Sequence, residues 1–269
     1  MSRRHQLWGF LVRDFLQEYS YRTNFVMQLV GLAGSLTLWF FLGRFLSQMP
    51  QVTQRLGGMD YFSYSVIGLA LLRYLSSLNS TFSRKVRQEQ VTGTLEAMLV
   101  TPNRTPSLIM MSSAYDVLSS SVWILAWIVL GRLFGASFHL PALLPTILLL
   151  ALVMAAFASI GILSAGMVIY FKRGNPLNWL VSSSSALLGG VFFPISALPA
   201  PLDRLAQYIP ITHAVEGLRQ LVVRQAGMTA ILSHLQFLAV FGVIILPAGL
   251  GLFHLALRRA RYEGTLVHY

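Results

Sequence analysis

The chain has 269 residues, of which 55% are hydrophobic and only 11% are charged. Soluble domains usually carry about 25% charged residues, so this composition excludes an ordinary soluble enzyme and indicates an integral membrane protein. The net charge of +11 does not indicate nucleic acid, because the basic residues lie at the ends of apolar runs, and the lack of cysteine excludes disulfides and thiol chemistry.

The pattern of residues 1–23 predicts an amphipathic helix that lies in the membrane interface. Its apolar side chains recur at helical spacing, at Trp8, Leu11, Val12, Phe15 and Tyr19. Its polar side carries Arg13, Asp14, Gln17 and Glu18. The alternative is a solvated helix that packs on loops of the same protein.

Six apolar runs follow, each long enough for a transmembrane helix. They cover residues 24–45, 61–82, 107–134, 142–171, 177–193 and 232–257. Only helices or closed barrels satisfy backbone groups in lipid, and these runs are too long for barrel strands. We therefore predict an all-α integral membrane protein with six transmembrane helices and one domain, comprising an interfacial helix (1–23), a six-span bundle (24–257) and a tail (258–269).

The distribution of Lys and Arg predicts the orientation of these spans. The leader, the second and fourth connections and the tail hold 13 basic residues, whereas the opposite side holds six. Cytoplasmic segments carry the excess of positive charge. We therefore expect both termini on the cytoplasmic side of a bacterial-type inner membrane.

Arg73 and Asp116 lie inside the second and third predicted spans. Each is nine residues from the predicted cytoplasmic end of its span, and consecutive spans are antiparallel. An unpaired charge at that depth costs roughly 3 kcal/mol or more. We therefore predict an intramembrane Arg73–Asp116 ion pair. The alternative is that Arg73 binds an anionic headgroup of a substrate.

The second connection, residues 90–102, predicts a short helix. Gly93 begins it, Glu96 suits its positive N-terminus, and Pro102 ends it. Leu95 and Leu99 lie on one apolar stripe with Met98, which on the cytoplasmic side should dock against another surface. The alternative is a helix that floats on the lipid interface.

The fifth connection, residues 194–231, contains four prolines yet is half apolar, which predicts short re-entrant helices in the outer leaflet. The alternative is a flat extracellular cap. Glu216 and Arg219 are three residues apart on one of these helices and can pair there. With His213 they could contact the substrate, and the alternative is a structural cap. The residues predicted to form a gate or substrate path are Gly189, Gly190, Phe192, Phe193, Pro194, His213, Glu216 and Arg219.

Several catalytic motifs are missing from the sequence. A phosphate-binding P-loop ends in Gly-Lys-Ser/Thr, but the two lysines follow Arg84 and Phe171. No His-Glu-x-x-His pair and no Gly-x-Ser-x-Gly elbow occurs either. We therefore predict no catalytic, cofactor-binding or metal-ligating residues in this chain.

Two segments carry a specific family resemblance. "RQEQVTGTLEAMLVTP" resembles the first cytoplasmic loop of type-2 ATP-binding-cassette (ABC) transporter permeases, and "GGVFFPISALPAPLDRLAQYIPITHAVEGLRQLV" resembles the segment before their last span. The motifs occur in the family's order, within a frame of matching length, so the resemblance covers essentially the whole chain.

The resemblance implies an export permease without ATPase activity of its own. Two copies, or one copy and a paralogue, would pair with two cytoplasmic ATP-binding subunits, which would hold ATP and Mg²⁺. Residues 93–101 would form the coupling helix seated on that subunit. The residues carried over as coupling residues are Glu89, Gly93, Thr94, Leu95, Glu96, Leu99, Thr101 and Pro102. The expected cargo is amphipathic, lipid-linked or glycan-type, or a drug.

Three other classes of protein remain open. An ion-coupled secondary transporter would need acidic residues inside its spans, and Asp116 is the clear candidate. A membrane-embedded enzyme would need clustered catalytic residues at membrane depth, which the sequence does not display. A scaffold subunit without transport is the third alternative.

Overall fold

The computed structural model describes residues 3–20, 22–91, 105–139, 143–171 and 175–262. Within these ranges the chain is helical and contains no strand, which confirms the all-α fold class. The helices are α1 (Arg3–Ser20), α2 (Arg22–Ser47), α3 (Pro50–Arg55), α4 (Tyr61–Val91), α5 (Thr105–Leu133), α6 (Leu143–Phe171), α7 (Pro176–Leu188), α8 (Leu202–Ala206), α9 (Pro210–Val222) and α10 (Met228–Tyr262), with a 3₁₀ turn at Ile195–Ala197.

Four stretches of helix in the described ranges are long and apolar enough to cross a membrane. They are α2, Met110–Leu133 of α5, α6, and Met228–Ala260 of α10. The shortest has 24 residues, about 36 Å at 1.5 Å per residue, which exceeds the ~30 Å hydrocarbon core. These helices coincide with the first, third, fourth and sixth predicted spans.

The second and fifth predicted spans differ from expectation. Helix α4 runs nine residues past the predicted end at Phe82, and its 31 residues include many polar side chains. Helix α7 has 13 residues and ends at Leu188 instead of Phe193. At about 20 Å, α7 is too short to cross the hydrocarbon core alone. The six-span count therefore stays a prediction.

Helix α4 lies at the centre of the bundle, in contact with α2, α5, α6, α7 and α9. Leu71, Leu75 and Leu78, one helical turn apart, are completely buried in the main core. The polar side chains Asn79 and Thr81 are buried as well. Because neighbouring helices surround α4, these two buried polar groups meet protein and not lipid.

Helices α6 and α10 form the most extensive helix pair. Gly166 and Gly249 permit it, because a Cβ at Gly166 would lie 3.0 Å from the Phe253 backbone nitrogen and one at Gly249 would lie 3.1 Å from that of Leu163. A second apolar cluster joins Phe82 of α4 to Leu257 of α10. We call this end of the bundle, where α4 and α10 end, the inner end, and the opposite end the outer end.

Helix α1 packs against α5 at the inner end. Its predicted apolar face points away from the protein, since Trp8, Phe15 and Tyr19 are exposed, while Asp14 on its polar face is buried. This reversed arrangement suits a helix whose aromatic side chains contact lipid and whose charges contact the bundle.

Helix α7 begins where its sequence supplies a cap. The Asn175 side chain accepts a hydrogen bond from the Asn178 backbone N–H (3.0 Å), and Pro176 occupies the first helical position. Asn175 also donates to Ser83 of α4 (3.0 Å) and accepts from Ser164 of α6 (2.8 Å). These bonds fix the inner end of α7 between α4 and α6.

Candidate functional site

A polar cavity of about 840 Å³ opens between α1, α2, α4 and α5 toward the inner end. We call it the inner cavity. Its lining residues are Asp14, Glu18, Asn24, Gln28, Arg73, Ser76, Ser77, Ser80, Arg84, Lys85, Gln88, Tyr115, Asp116, Ser119, Ser120 and Trp123. Such a concentration of charged and hydroxyl groups is exceptional in a chain that is 11% charged, and it marks this cavity as the candidate site.

Ion pairs at the mouth of the inner cavity connect three helices. Lys85 Nζ on α4 lies 3.2 Å from Asp14 Oδ2 on α1 and 3.9 Å from Asp116 Oδ2 on α5. Asp14 also accepts a hydrogen bond of 2.7 Å from Arg13 Nε, and its side chain is only 5% exposed. The sequence analysis did not identify Asp14 or Lys85 as site residues, because their pairing spans 71 positions.

The predicted Arg73–Asp116 ion pair is wrong in its partner, because Asp116 pairs with Lys85 instead. The register of α4 and α5 explains the difference. Tyr74 hydroxyl lies 3.0 Å from Ser121 Oγ, which places Arg73 near the level of Trp123 and not of Asp116. Arg73 is therefore about seven residues, or roughly 10 Å along the axis, farther from the inner end than Asp116.

Hydroxyl groups line the seam between α4 and α5. Ser77 Oγ lies 2.7 Å from Ser120 Oγ, and Ser120 Oγ donates to the Asp116 carbonyl (2.6 Å). Because the Ser120 proton is committed to that carbonyl, Ser77 donates in the serine pair. Both hydroxyl oxygens keep lone pairs that can accept hydrogen bonds.

A recess of about 90 Å³ extends the inner cavity toward the outer end. Both spaces share Gln28, Arg73, Ser77, Ser120 and Trp123, and the recess adds Ala70, Tyr74, Ile124 and Trp127. The Trp127 side chain is buried, yet its indole Nε1 has no hydrogen-bond partner. Arg73 is exposed, and it forms no ion pair or side-chain hydrogen bond within the described part of the chain.

The second site of interest is the break between α7 and the 3₁₀ turn at the outer end. Gly189 ends α7, and Gly190 adopts a left-handed φ of +69°, which favours glycine. A Cβ at Gly189 would lie 2.3 Å from Ile211 Cγ2. The two glycines therefore permit a chain reversal and a close approach to α9.

Arg219 of α9 binds two backbone carbonyl groups at this break and one in the first turns of α4. It donates to Gly190 O (2.9 Å), Val191 O (3.2 Å) and Tyr64 O (2.9 Å), and its guanidinium lies 3.4 Å from the Tyr64 ring centroid. Arg219 is only 2% exposed. Burial lowers the pKa of Arg219 to about 10, so it remains charged at neutral pH.

The predicted Glu216–Arg219 pair is also wrong. Glu216 Oε1 lies 3.8 Å from Arg224 Nη1, because Arg219 faces the interior of the bundle while Glu216 lies on the more exposed side of α9. Arg219 is thus a structural cap for backbone carbonyls. Its role is closer to the structural interpretation considered for this helix than to direct substrate contact.

His213, predicted for the substrate path, belongs to a directed chain of hydrogen bonds at the outer end. His213 Nε2 donates to Gln207 O (2.8 Å), so its Nδ1 accepts from His234 Nδ1 (3.1 Å), and His234 Nε2 accepts from Gln220 Nε2 (3.3 Å). Burial lowers the pKa of His213, which favours this neutral arrangement. Among the described residues, no group of three or more His, Asp or Glu side chains could hold a metal ion.

Phe192 and Phe193, the aromatic residues predicted to form a gate, occupy different environments. Phe192 stacks on Trp39 of α2 with ring centroids 5.3 Å apart, whereas Phe193 is 37% exposed. Pro194 begins the 3₁₀ turn. Phe192 thus connects the break after α7 to α2, and a gating role for these residues stays a prediction.

Most of the predicted coupling residues lie outside the described residues, namely Gly93, Thr94, Leu95, Glu96, Leu99, Thr101 and Pro102. Glu89 lies within the last turn of α4, two residues before its end at Val91. Helix α4 therefore leads directly from the inner cavity into the predicted coupling segment.

The chain is similar in sequence to a family of transporter proteins and to several named relatives. The model of the ABC-2 family transporter protein matches residues 46–250. Nodulation protein J from Rhizobium leguminosarum bv. viciae is 22% identical over 214 residues, 79% of this chain and 81% of its own length. Nodulation protein J from Bradyrhizobium diazoefficiens is 25% identical over 233 residues, 85% of this chain and 86% of its own.

A relative named as a resistance permease matches over a shorter range. The linearmycin resistance permease protein LnrN from Bacillus subtilis is 26% identical over 137 residues, which is 48% of this chain and 35% of that permease. The family model covers both the segment at 90–102 and the break after α7.

Proposed function

This chain belongs to the ABC-2 family of transporter proteins, and on that premise we propose that it is the permease of an ATP-driven exporter. As a family member it is the transmembrane subunit of an ABC transporter. The match over residues 46–250, more than half of the chain, carries this conclusion. The export direction and the use of a separate ATP-binding subunit are the proposed part.

The sequence contains no P-loop motif, so we assign ATP hydrolysis to a separate subunit. Without Gly-Lys-Ser/Thr, no loop of this chain can cradle a nucleotide in the P-loop manner. Lys85, one of only two lysines, is committed to Asp14 and Asp116 at the mouth of the inner cavity. An ATP-binding subunit at the inner end would supply the hydrolysis, with ATP and Mg²⁺ bound there.

Helix α4 offers the physical link between that subunit and the cargo. It lines the inner cavity at Arg73 and Ser77 and continues to Val91, next to the predicted coupling segment. The Lys85 ion pairs tie α1 and α5 to the same stretch of α4. A movement of the coupling segment would therefore reach the walls of the inner cavity through continuous packed helix.

The cavity also supports an amphipathic, lipid-linked or glycan-type cargo. Its lining is polar, while α2 beside it exposes apolar side chains such as Val26, Met27 and Val30. A cargo with a polar headgroup and an apolar tail would satisfy both surfaces. The complex would contain two permease copies, or one copy and a paralogue, with two ATP-binding subunits, in an inner membrane with both termini cytoplasmic.

Leu95→Asp tests the coupling segment. We expect the tagged variant, purified in gentle detergent, to lose the ATP-binding subunit and the associated ATPase activity, because a carboxylate cannot fill an apolar groove without a large desolvation cost. Wild type and Leu95→Met, which keeps an apolar side chain of similar volume, should both retain the subunit.

One result for Leu95→Asp would contradict the proposed docking role of residues 93–101. If the variant inserted normally, retained the ATP-binding subunit and kept its transport-coupled ATPase activity, residues 93–101 would not be the docking helix. If the wild type purified without any ATP-binding subunit, the ion-coupled transporter would replace the exporter as the better account.

A further inference from the structure

We propose that the recess beside Arg73 binds the acidic group, a phosphate or a carboxylate, of the cargo's polar headgroup. This inference deepens the proposed function and rests on it. Arg73 supplies the charge, Trp127 supplies a neutral N–H donor, and the serine seam of α4 and α5 accepts from neighbouring hydroxyl groups. The recess continues the inner cavity away from the inner end, so a headgroup that entered from the inner end would reach it through the inner cavity.

Arg73 lies far from both ends of its helix. It lies 12 residues from one end of α4 and 18 from the other, so the charge is roughly 18 Å and 27 Å from the two ends. A cation at such a depth is retained when it faces a wet cavity or binds an anion. Asp116, the acid predicted to neutralise it, pairs with Lys85 instead.

The remaining acids of the inner cavity do not compensate Arg73 either. Asp14 is paired with Lys85 and Arg13, and Glu18 lines the inner cavity near Tyr115. All three carboxylates, including Asp116, lie nearer the inner end. Arg73 is therefore a cation in a polar space that has no counter-ion from the described part of the chain.

Trp127 provides an independent indication of a ligand. Its indole N–H is fully buried and unpartnered, whereas buried donors in native proteins nearly always have a partner. Trp127 lines the same recess as Arg73. An acidic oxygen bound there would satisfy a cationic donor and a neutral donor together, and a charge-assisted hydrogen bond is the stronger kind.

The size and remaining polar groups of the recess define the ligand class. A space of about 90 Å³ has room for a small group such as a phosphate or a carboxylate. Ser77 and Ser120 offer acceptor oxygens, since their protons are already used, and these suit the hydroxyl donors of an attached sugar or glycerol. The rest of the headgroup would occupy the inner cavity.

Binding of two probes to the purified complex tests the proposal. The complex is held in neutral detergent and titrated with dioctanoyl phosphatidic acid or inorganic phosphate, with dioctanoylglycerol as the uncharged control and native mass spectrometry as the readout. We expect Arg73→Gln to weaken binding of the acidic probe by about tenfold or more, and Trp127→Phe by about tenfold. Arg73→Lys should retain most of the affinity, and Arg204→Gln, at an exposed arginine of α8, should bind as the wild type does.

The outcomes separate the two possible sources of the acidic group. Binding of phosphatidic acid but not phosphate would support a lipid-linked headgroup, and binding of both in an Arg73-dependent manner would support a soluble acid as well. Failure of both probes to bind, or equal binding to Arg73→Gln, would overturn the proposal. Wild-type complex that contains the ATP-binding subunit but binds neither probe would refute this inference alone, whereas absence of the subunit would refute the proposed function.

Discussion

Replacing Arg219 with leucine is expected to destabilise the protein by about 3 kcal/mol, because hydrogen bonds from a charged donor contribute about 1.5–3 kcal/mol each and Val191 O has no other hydrogen bond among the described residues. Leucine would remove the hydrogen bonds to Val191 O and Tyr64 O, and Gly190 O would keep only the Tyr64 hydroxyl (2.9 Å). The midpoint of thermal unfolding in detergent, followed by size-exclusion chromatography, measures the effect.

Arg224→Leu is the matched control for this prediction. Arg224 lies five residues away, its side chain is half exposed, and its contact with Glu216 is a surface ion pair of 3.8 Å. Its loss should cost less than about 1 kcal/mol. Equal unfolding midpoints for the Arg219 and Arg224 variants would show that the carbonyl cap does not stabilise the break after α7.

Gly161→Leu is expected to separate α4 from α6 and to reduce stability by about 3 kcal/mol, at the upper end of ordinary overpacking. A Cβ at Gly161 would lie 2.5 Å from Leu78 O and 2.8 Å from Phe82 Cδ2. A backbone carbonyl cannot rotate away as a flexible side chain can, so the helices themselves must move. The fraction of monodisperse protein after purification and its unfolding midpoint measure the change.

Gly34→Leu controls for the loss of a helical glycine. Nothing lies within 4 Å of a Cβ placed at Gly34, so leucine there should be tolerated and should improve helix propensity. If both leucine variants behaved alike, the close approach of α4 and α6 at Gly161 would not determine stability.

The positions of the apolar helices could be predicted because hydropathy over about 20 residues is a local property of the sequence. The ends of α4 and α7 could not. Helix α4 continues past Phe82 because Val86 is buried in an apolar cluster with residues of α6 and α10, which are far away in sequence. Helix α7 stops at Leu188 because Gly189 and Gly190 reverse the chain, and the sequence analysis recognised these glycines without recognising that the span ends there.

The sequence reveals some site residues directly, whereas the contacts that those residues make depend on segments far away in the chain. Arg73 and Asp116 were recognised because charges inside apolar runs are conspicuous. Their partners depend on the axial register of two antiparallel helices. The predicted register assumed that α4 ends at Phe82, whereas α4 continues to Val91, so Arg73 and Asp116 lie at different levels. Arg219 binds carbonyls 28, 29 and 155 residues away, and backbone groups carry no side-chain signal that a sequence pattern could reveal.

Site-specific crosslinking tests the central claim, that a separate ATP-binding subunit drives this permease through residues 93–101. The chain contains no cysteine, so Thr94→Cys introduces a unique thiol that can carry a photoreactive label. Ser196→Cys, at an exposed residue of the outer end, is the matched control. We expect Thr94→Cys to crosslink an ATP-binding subunit and Ser196→Cys to crosslink none. Normal membrane insertion without a crosslink from Thr94→Cys, or equal crosslinking from both positions, would contradict the account.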